Sequence, residues 1–118
     1  MDDEEMIRAL AAEMLAFLGH EVAFAANGET ALAAYRTARA AARPFDVVIL
    51  DLTIRGGMGG IETMRQLVKI DPDVKAVVSS GYSEDAALSN YREFGFRAAL
   101  NKPYSLTGLQ SVLDSLLI

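Results

Sequence analysis

Cysteine and tryptophan are absent from this chain, histidine occurs once and proline three times. Without cysteine there is no disulfide framework, no thiolate nucleophile and no cysteine metal site. A single His20 cannot build a histidine metal cluster or a Ser-His-Asp arrangement; following Gly19, it reads as a solvated turn residue. Long apolar runs are missing too: nothing approaches the ~20 residues of a spanning helix. The start, Met1-Asp2-Asp3-Glu4-Glu5, is the opposite of a signal peptide. The expectation is a cytoplasmic protein, or the cytoplasmic part of something larger, with no membrane role for this domain. Basic charge is scarce, 11 Lys and Arg against 16 Asp and Glu, for a formal net charge of -5. That disfavours nucleic acid or an anionic membrane as a partner. What remains is 118 residues, 52% of them apolar, enough for one domain with one core.

The chain is organised around Phe45-Asp46-Val47-Val48-Ile49-Leu50-Asp51, an apolar run ending on a carboxylate. Residues 45–50 read as a strand, with Val47 to Leu50 unbroken enough to be buried on both faces, as in a parallel sheet covered by helices. Asp51 then leaves the sheet at its carboxyl edge, where open α/β sheets bind ligands. Gly56, Gly57, Gly59 and Gly60 make the following loop one of unusual backbone freedom. Before it, Ile7, Leu10, Ala11, Met14, Leu15 and Leu18 have the spacing of an amphipathic helix over 5–18. A short strand over 21–26 follows, and Asn27 is placed to cap a helix over 28–42. After the glycine loop come a helix from Ile61 to Ile70, a strand over 74–79, a weaker helix over 83–94, a strand over 97–100 and a last helix from Leu106. Alternating strands and helices predict a parallel sheet with helices on both faces, yet the chain begins on a helix.

Polar residues stand where three of these strands end: Asp51, Ser79 with Ser80, and Lys102, while Asp2 and Asp3 precede the first helix. Clustered carboxylates repel, and a hard divalent cation such as Mg²⁺ relieves that repulsion through oxygen ligands. A lysine offsets charge on a transferring phosphoryl group, and a hydroxyl donates to one of its oxygens. An aspartate can itself be the nucleophile and form an acyl phosphate. Each residue alone has a plain structural role, in a turn, a cap or a solvated charge; their occurrence at successive strand ends points to one site.

Together with Gly19-His20-Glu21-Val22, Ala26-Asn27-Gly28-Glu29-Thr30-Ala31-Leu32, Val78-Ser79-Ser80-Gly81 and Lys102-Pro103, these motifs resemble the receiver domain of bacterial two-component response regulators. The resemblance covers residues 2–118. Gly56-Gly57-Met58-Gly59-Gly60 and Ser79-Ser80-Gly81-Tyr82 look like receivers appended to hybrid sensor histidine kinases. The resemblance implies a flavodoxin-like three-layer α/β/α fold. It implies that Asp51 is the phosphoacceptor, and that Asp2, Asp3, Asp51 and the backbone carbonyl of Thr53 surround Mg²⁺. Ser79 and Lys102 would hold the phosphoryl oxygens, and the bond before Pro103 would be cis, a form essentially confined to proline. Gly81 would leave the attacking water unshielded. The implied partner is a sensor histidine kinase or phosphotransfer protein. The activity is phosphotransfer with self-dephosphorylation, not that of a dedicated metabolic enzyme. A haloacid-type hydrolase shares aspartyl-phosphate logic but needs a cap domain that this length does not provide.

Three departures stand out. The family's opening strand is absent, so residues 1–118 read as one receiver domain truncated at its N-terminus. Asp2 and Asp3 are then expected on a fraying terminus, unless the gap is filled otherwise, by strand exchange within a homodimer or by a helix slipping over it. Ala99 stands where the family has a switch aromatic, and it cannot make that ring's rotameric report. Arg55 replaces a typical proline in a loop with one extra glycine, which predicts a looser loop. The missing strand and Ala99 favour the alternative function, a receiver-shaped protein–protein interaction module that is not phosphorylated.

Overall fold

The computed structural model describes residues 1–81 and 86–117. Among them, α1 spans Glu5–Phe17, α2 Gly28–Ala40, β1 Val48–Asp51, α3 Gly60–Ile70, β2 Ala76–Ser80, a single turn α4 Ala86–Ser89, a 3₁₀ turn Tyr91–Phe94, β3 Ala98–Asn101 and α5 Leu106–Leu117. The weak helix expected over 83–94 is therefore two short pieces, and residues 83–85 lie outside the described residues, as does Tyr82. Gly95 closes the 3₁₀ turn with φ +95°, a left-handed conformation that glycine adopts without penalty.

The sheet is parallel, in the order β1-β2-β3. Ile49 pairs with Val77, Leu50 with Val78 and Asp51 with Ser79, while Val77 pairs with Ala98 and Ser79 with Leu100. Alternation along each strand splits the core between two faces. Leu50, Val78 and Ala76 pack with Leu32 and Tyr35 of α2, and with Met64 and Leu67 of α3. On the opposite face Val77 and Leu100 pack with Leu109 of α5, flanked by Ile7, Ala11 and Met14 of α1. The result is the expected three-layer α/β/α, flavodoxin-like arrangement. Leu50, Leu67 and Leu109 are wholly buried, and each such leucine contributes roughly 1.5–3 kcal/mol by leaving water.

Sequence patterning accounts for most element boundaries. Asn27 caps α2 as expected: its side chain accepts from Thr30 N–H at 2.9 Å, and Thr30 Oγ1 accepts in return from Asn27 N–H at 3.4 Å. Tyr35, on the buried face of α2, donates its hydroxyl to Asp71 at 2.7 Å, tying α2 to the end of α3.

The expected strand over 21–26 is not one. Those residues lie outside any ladder, because the strand that would pair with them is not in this chain. The sheet has three strands among the described residues instead of the four that the sequence suggests. In its place a groove of about 950 Å³ opens between 21–23 and 44–49, lined among others by Val22, Ala34, Val47, Ile49 and Leu113. His20 sits half-buried at this groove rather than solvated. Met1 lies along the open edge of β1. The Met1 ammonium donates to Ile49 O at 2.7 Å, Asp51 N–H donates to Met1 O at 3.0 Å, and Asp2 N–H donates to Ala25 O at 3.0 Å. The first two bonds form one rung of a parallel ladder. Asp2 is thus pinned and only 4% exposed, contrary to the fraying expected of it.

Candidate functional site

The alternation that divides the core also gathers the polar residues. Asp51 and Ser79 share the parity of Val77, and Lys102 follows Leu100 by two, so all three belong to the α1–α5 side at the carboxyl edge of the sheet. There Lys102 Nζ lies 2.6 Å from Asp2 Oδ2 and 3.1 Å from Asp51 Oδ2. All three side chains are close to buried, with exposures of 12%, 6% and 7%. The ammonium is the compensating charge for Asp2 Oδ2, which no hydrogen-bond donor reaches otherwise. Arg8 adds a second cation, its guanidinium donating to Asp2 O at 2.7 Å.

This environment shifts both ends of the ion pair. Burial pushes the Asp51 pKa above the carboxylate range; the Lys102 bond opposes that, the Asp2 charge reinforces it, and the Thr53 N–H bond again opposes it. Burial works against the Lys102 ammonium, but its bonds to Asp2 and Asp51 outweigh the penalty and raise its pKa. A lysine holding two carboxylates stays charged at neutral pH, so the site keeps a fixed cation beside Asp51.

Asp2, Asp3 and Glu4 each place a carboxylate oxygen within 4.8 Å of the others. A set of hard oxygen donors of this kind suits Mg²⁺ or Ca²⁺. Glu4 was not among the expected ligands. Asp51 reaches this group through Lys102, and Thr53 lies exposed two residues beyond it. Asp3 also accepts from Arg55 N–H at 3.0 Å. Further bonds anchor the glycine loop: Met58 N–H to Glu29 at 3.1 Å, and Gly28 N–H to Met58 O at 2.9 Å. The loop expected to be loose is therefore tied at both ends. At Gly60 a Cβ would lie 2.6 Å from Asp51 O; only glycine lets α3 start that close to the site.

The Lys102–Pro103 bond is cis, as expected. Gly81 is exposed, with nothing within 4 Å of the place its Cβ would take. Ala99 is half-buried against the α2–α3 side of the core, on the face opposite the site. Ser79 is wholly buried, and its Oγ lies 2.6 Å from the Tyr104 hydroxyl. Sequence reasoning does not supply this contact between Ser79 and Tyr104. The available signal was a phenol immediately after Lys102-Pro103.

The response regulator receiver domain model matches residues 1–114. A response regulator receiver protein of Anaeromyxobacter sp. (strain Fw109-5) is 37% identical over 106 residues, covering 90% of this chain and 42% of that protein. The sensor kinase CckA of Brucella abortus is 32% identical over 99% of this chain, which spans 12% of the kinase. The crystal structure of the receiver domain of NtrX from Brucella abortus superposes with a TM-score of 0.87 at 28% identity, covering 98% of this chain and 93% of that one. Among the described residues no helix is long and apolar enough to cross a membrane.

Proposed function

Because this chain belongs to the response regulator receiver domain family, we propose that it is a phosphoacceptor in His–Asp phosphotransfer and that Asp51 carries the phosphoryl group. The observation that carries this reading is Asp51 itself: a buried carboxylate at the end of β1, paired in register with Ser79 and sharing Lys102 with Asp2. An Asp51 oxygen attacks the phosphorus of a phosphohistidine on a sensor kinase or phosphotransfer protein. The P–N bond breaks, its electron pair returns to the imidazole, and an acyl phosphate forms on Asp51. Lys102 neutralises one phosphoryl oxygen and Ser79 donates to another.

The hard-oxygen group of Asp2, Asp3 and Glu4 fits a divalent cation, with Asp51 and the Thr53 carbonyl as the further ligands the family suggests. Bound there, Mg²⁺ supplies positive charge that offsets the acids and the phosphoryl oxygens. Self-dephosphorylation follows when water attacks phosphorus and the P–O bond breaks, returning carboxylate and inorganic phosphate; Gly81 leaves that approach open. We place this exchange in the cytoplasm with its phosphohistidine donor, without nucleic acid or membrane contact by this domain. In this reading residues 1–118 act as one receiver unit.

The reading is tested by intact mass after incubation with Mg²⁺ and acetyl phosphate. The parent is expected to gain one phosphoryl group, and Asp51→Asn to gain none. A parent that gains nothing, or a variant that gains as much, overturns it. The groove between 21–23 and 44–49 favours a second reading, an unphosphorylated interaction module dimerised by strand exchange. Native mass on the same samples separates the two: that module is a dimer without mass gain.

A further inference from the structure

Tyr104 is a buried polar group beside this site for which phosphotransfer supplies no role. It packs with Val77, Leu100 and Leu109 and is 9% exposed. Its hydroxyl and Ser79 Oγ are 2.6 Å apart, and no bond joins Ser79 Oγ to Asp51 among the described residues. A serine hydroxyl has a single proton to donate. If Ser79 is the donor to Tyr104, that proton must be withdrawn before it can serve a phosphoryl oxygen on Asp51. If Tyr104 is the donor, the bond still fixes the Oγ rotamer on the phenol. In both cases the contact competes with any turn of Ser79 toward Asp51. Ala99, on the other face, has only a methyl group with which to answer such a turn.

We propose that Tyr104 is a positioning residue that holds the Ser79 hydroxyl on the phenol in the unmodified chain and releases it when Asp51 carries a phosphoryl group. The inference rests on the phosphoacceptor reading above. Burial pushes the Tyr104 pKa up, so the phenol keeps its proton at neutral pH and has a partner to lose. Because Tyr104 also packs on Leu109, its release is felt at the start of α5.

Two readouts test this. Tyr104→Phe keeps the ring packing but leaves the resting Ser79 hydroxyl unpaired, so the resting arrangement loses about one net hydrogen bond. The rate of mass gain with Mg²⁺ and acetyl phosphate is then expected to rise about threefold to tenfold. Independently, the four tyrosines are labelled at ¹³Cζ, and the Tyr104 resonance is assigned by its loss in Tyr104→Phe. It is expected to shift when beryllofluoride and Mg²⁺ are added, and to sit already displaced in Ser79→Ala. A parent that gains mass while the Tyr104 resonance stays fixed and Tyr104→Phe reacts at the parent rate overturns this inference and leaves the phosphoacceptor reading standing. A parent that gains no mass removes both.

Discussion

Lys102 balances two carboxylates that the fold has taken out of water, and each of the three is more costly alone than together. Removing one partner of a buried ion pair typically costs 3–5 kcal/mol, because the charge left behind is uncompensated. Lys102→Met is therefore expected to destabilise the chain by about that amount at pH 7 in urea unfolding. Part of the loss should return in mild acid, where Asp51, its pKa raised by burial, protonates; a variant as stable as the parent would mean that the pair is solvated. A second residue-scale device lies far from the site. Burial and the Asp71 bond push the Tyr35 pKa from 10.0 up to about 12, and the same bond holds Asp71 below its ordinary value. A raised phenol pKa gives stability that is complete below pH 10 and is lost as pH rises from 10 toward 12. The lowered Asp71 gives stability present above the usual carboxylate range and lost as pH falls through its folded value. Tyr35→Phe should cost about 1 kcal/mol at pH 7 and flatten both limbs of the urea midpoint against pH. An unchanged alkaline limb would assign it to other groups.

At the scale of elements, the helices were legible because three- and four-residue apolar spacing survives whatever the neighbours do, as at Met64 and Leu67. β1 and β2 were legible because Val47 to Leu50 and Ala76 to Val78 are apolar on successive positions, as a doubly covered strand requires. Residues 21–26 carry a similar signal and yet form no strand. Their fate depends on a neighbour the sequence does not contain, and a strand without a ladder has no cooperative bonds to hold it. Among the described residues, a backbone bond from Asp2 to Ala25 is what remains. Amide exchange should accordingly show 21–25 opening at little free-energy cost, while Val77 and Val78 exchange only with global unfolding. Equal protection of the two segments would mean that the groove is filled in solution.

At the scale of the whole molecule, the site was readable to the extent that residue type and strand parity decide it. Asp51, Ser79 and Lys102 share one face because each stands an even number of residues from a strand position packed on the α1–α5 side, and that spacing is visible in the sequence. The seating of Asp2 was not, since it depends on Met1 bridging Ile49, Asp51 and, through Asp2, Ala25 across nearly half the chain. The Ser79–Tyr104 bond was hidden for the same reason: the loop after β3 had to be placed before the phenol could be seen to reach back. Convergence on Asp51 is the central claim, with Asp2, Asp3 and Glu4 nearby as rival carboxylates. The direct measurement is borohydride reduction of the acetyl phosphate-treated chain, which converts an aspartyl phosphate to homoserine, followed by peptide mapping. Homoserine at position 51 alone is the expected result; homoserine at position 2 or 3, or at none, would contradict it.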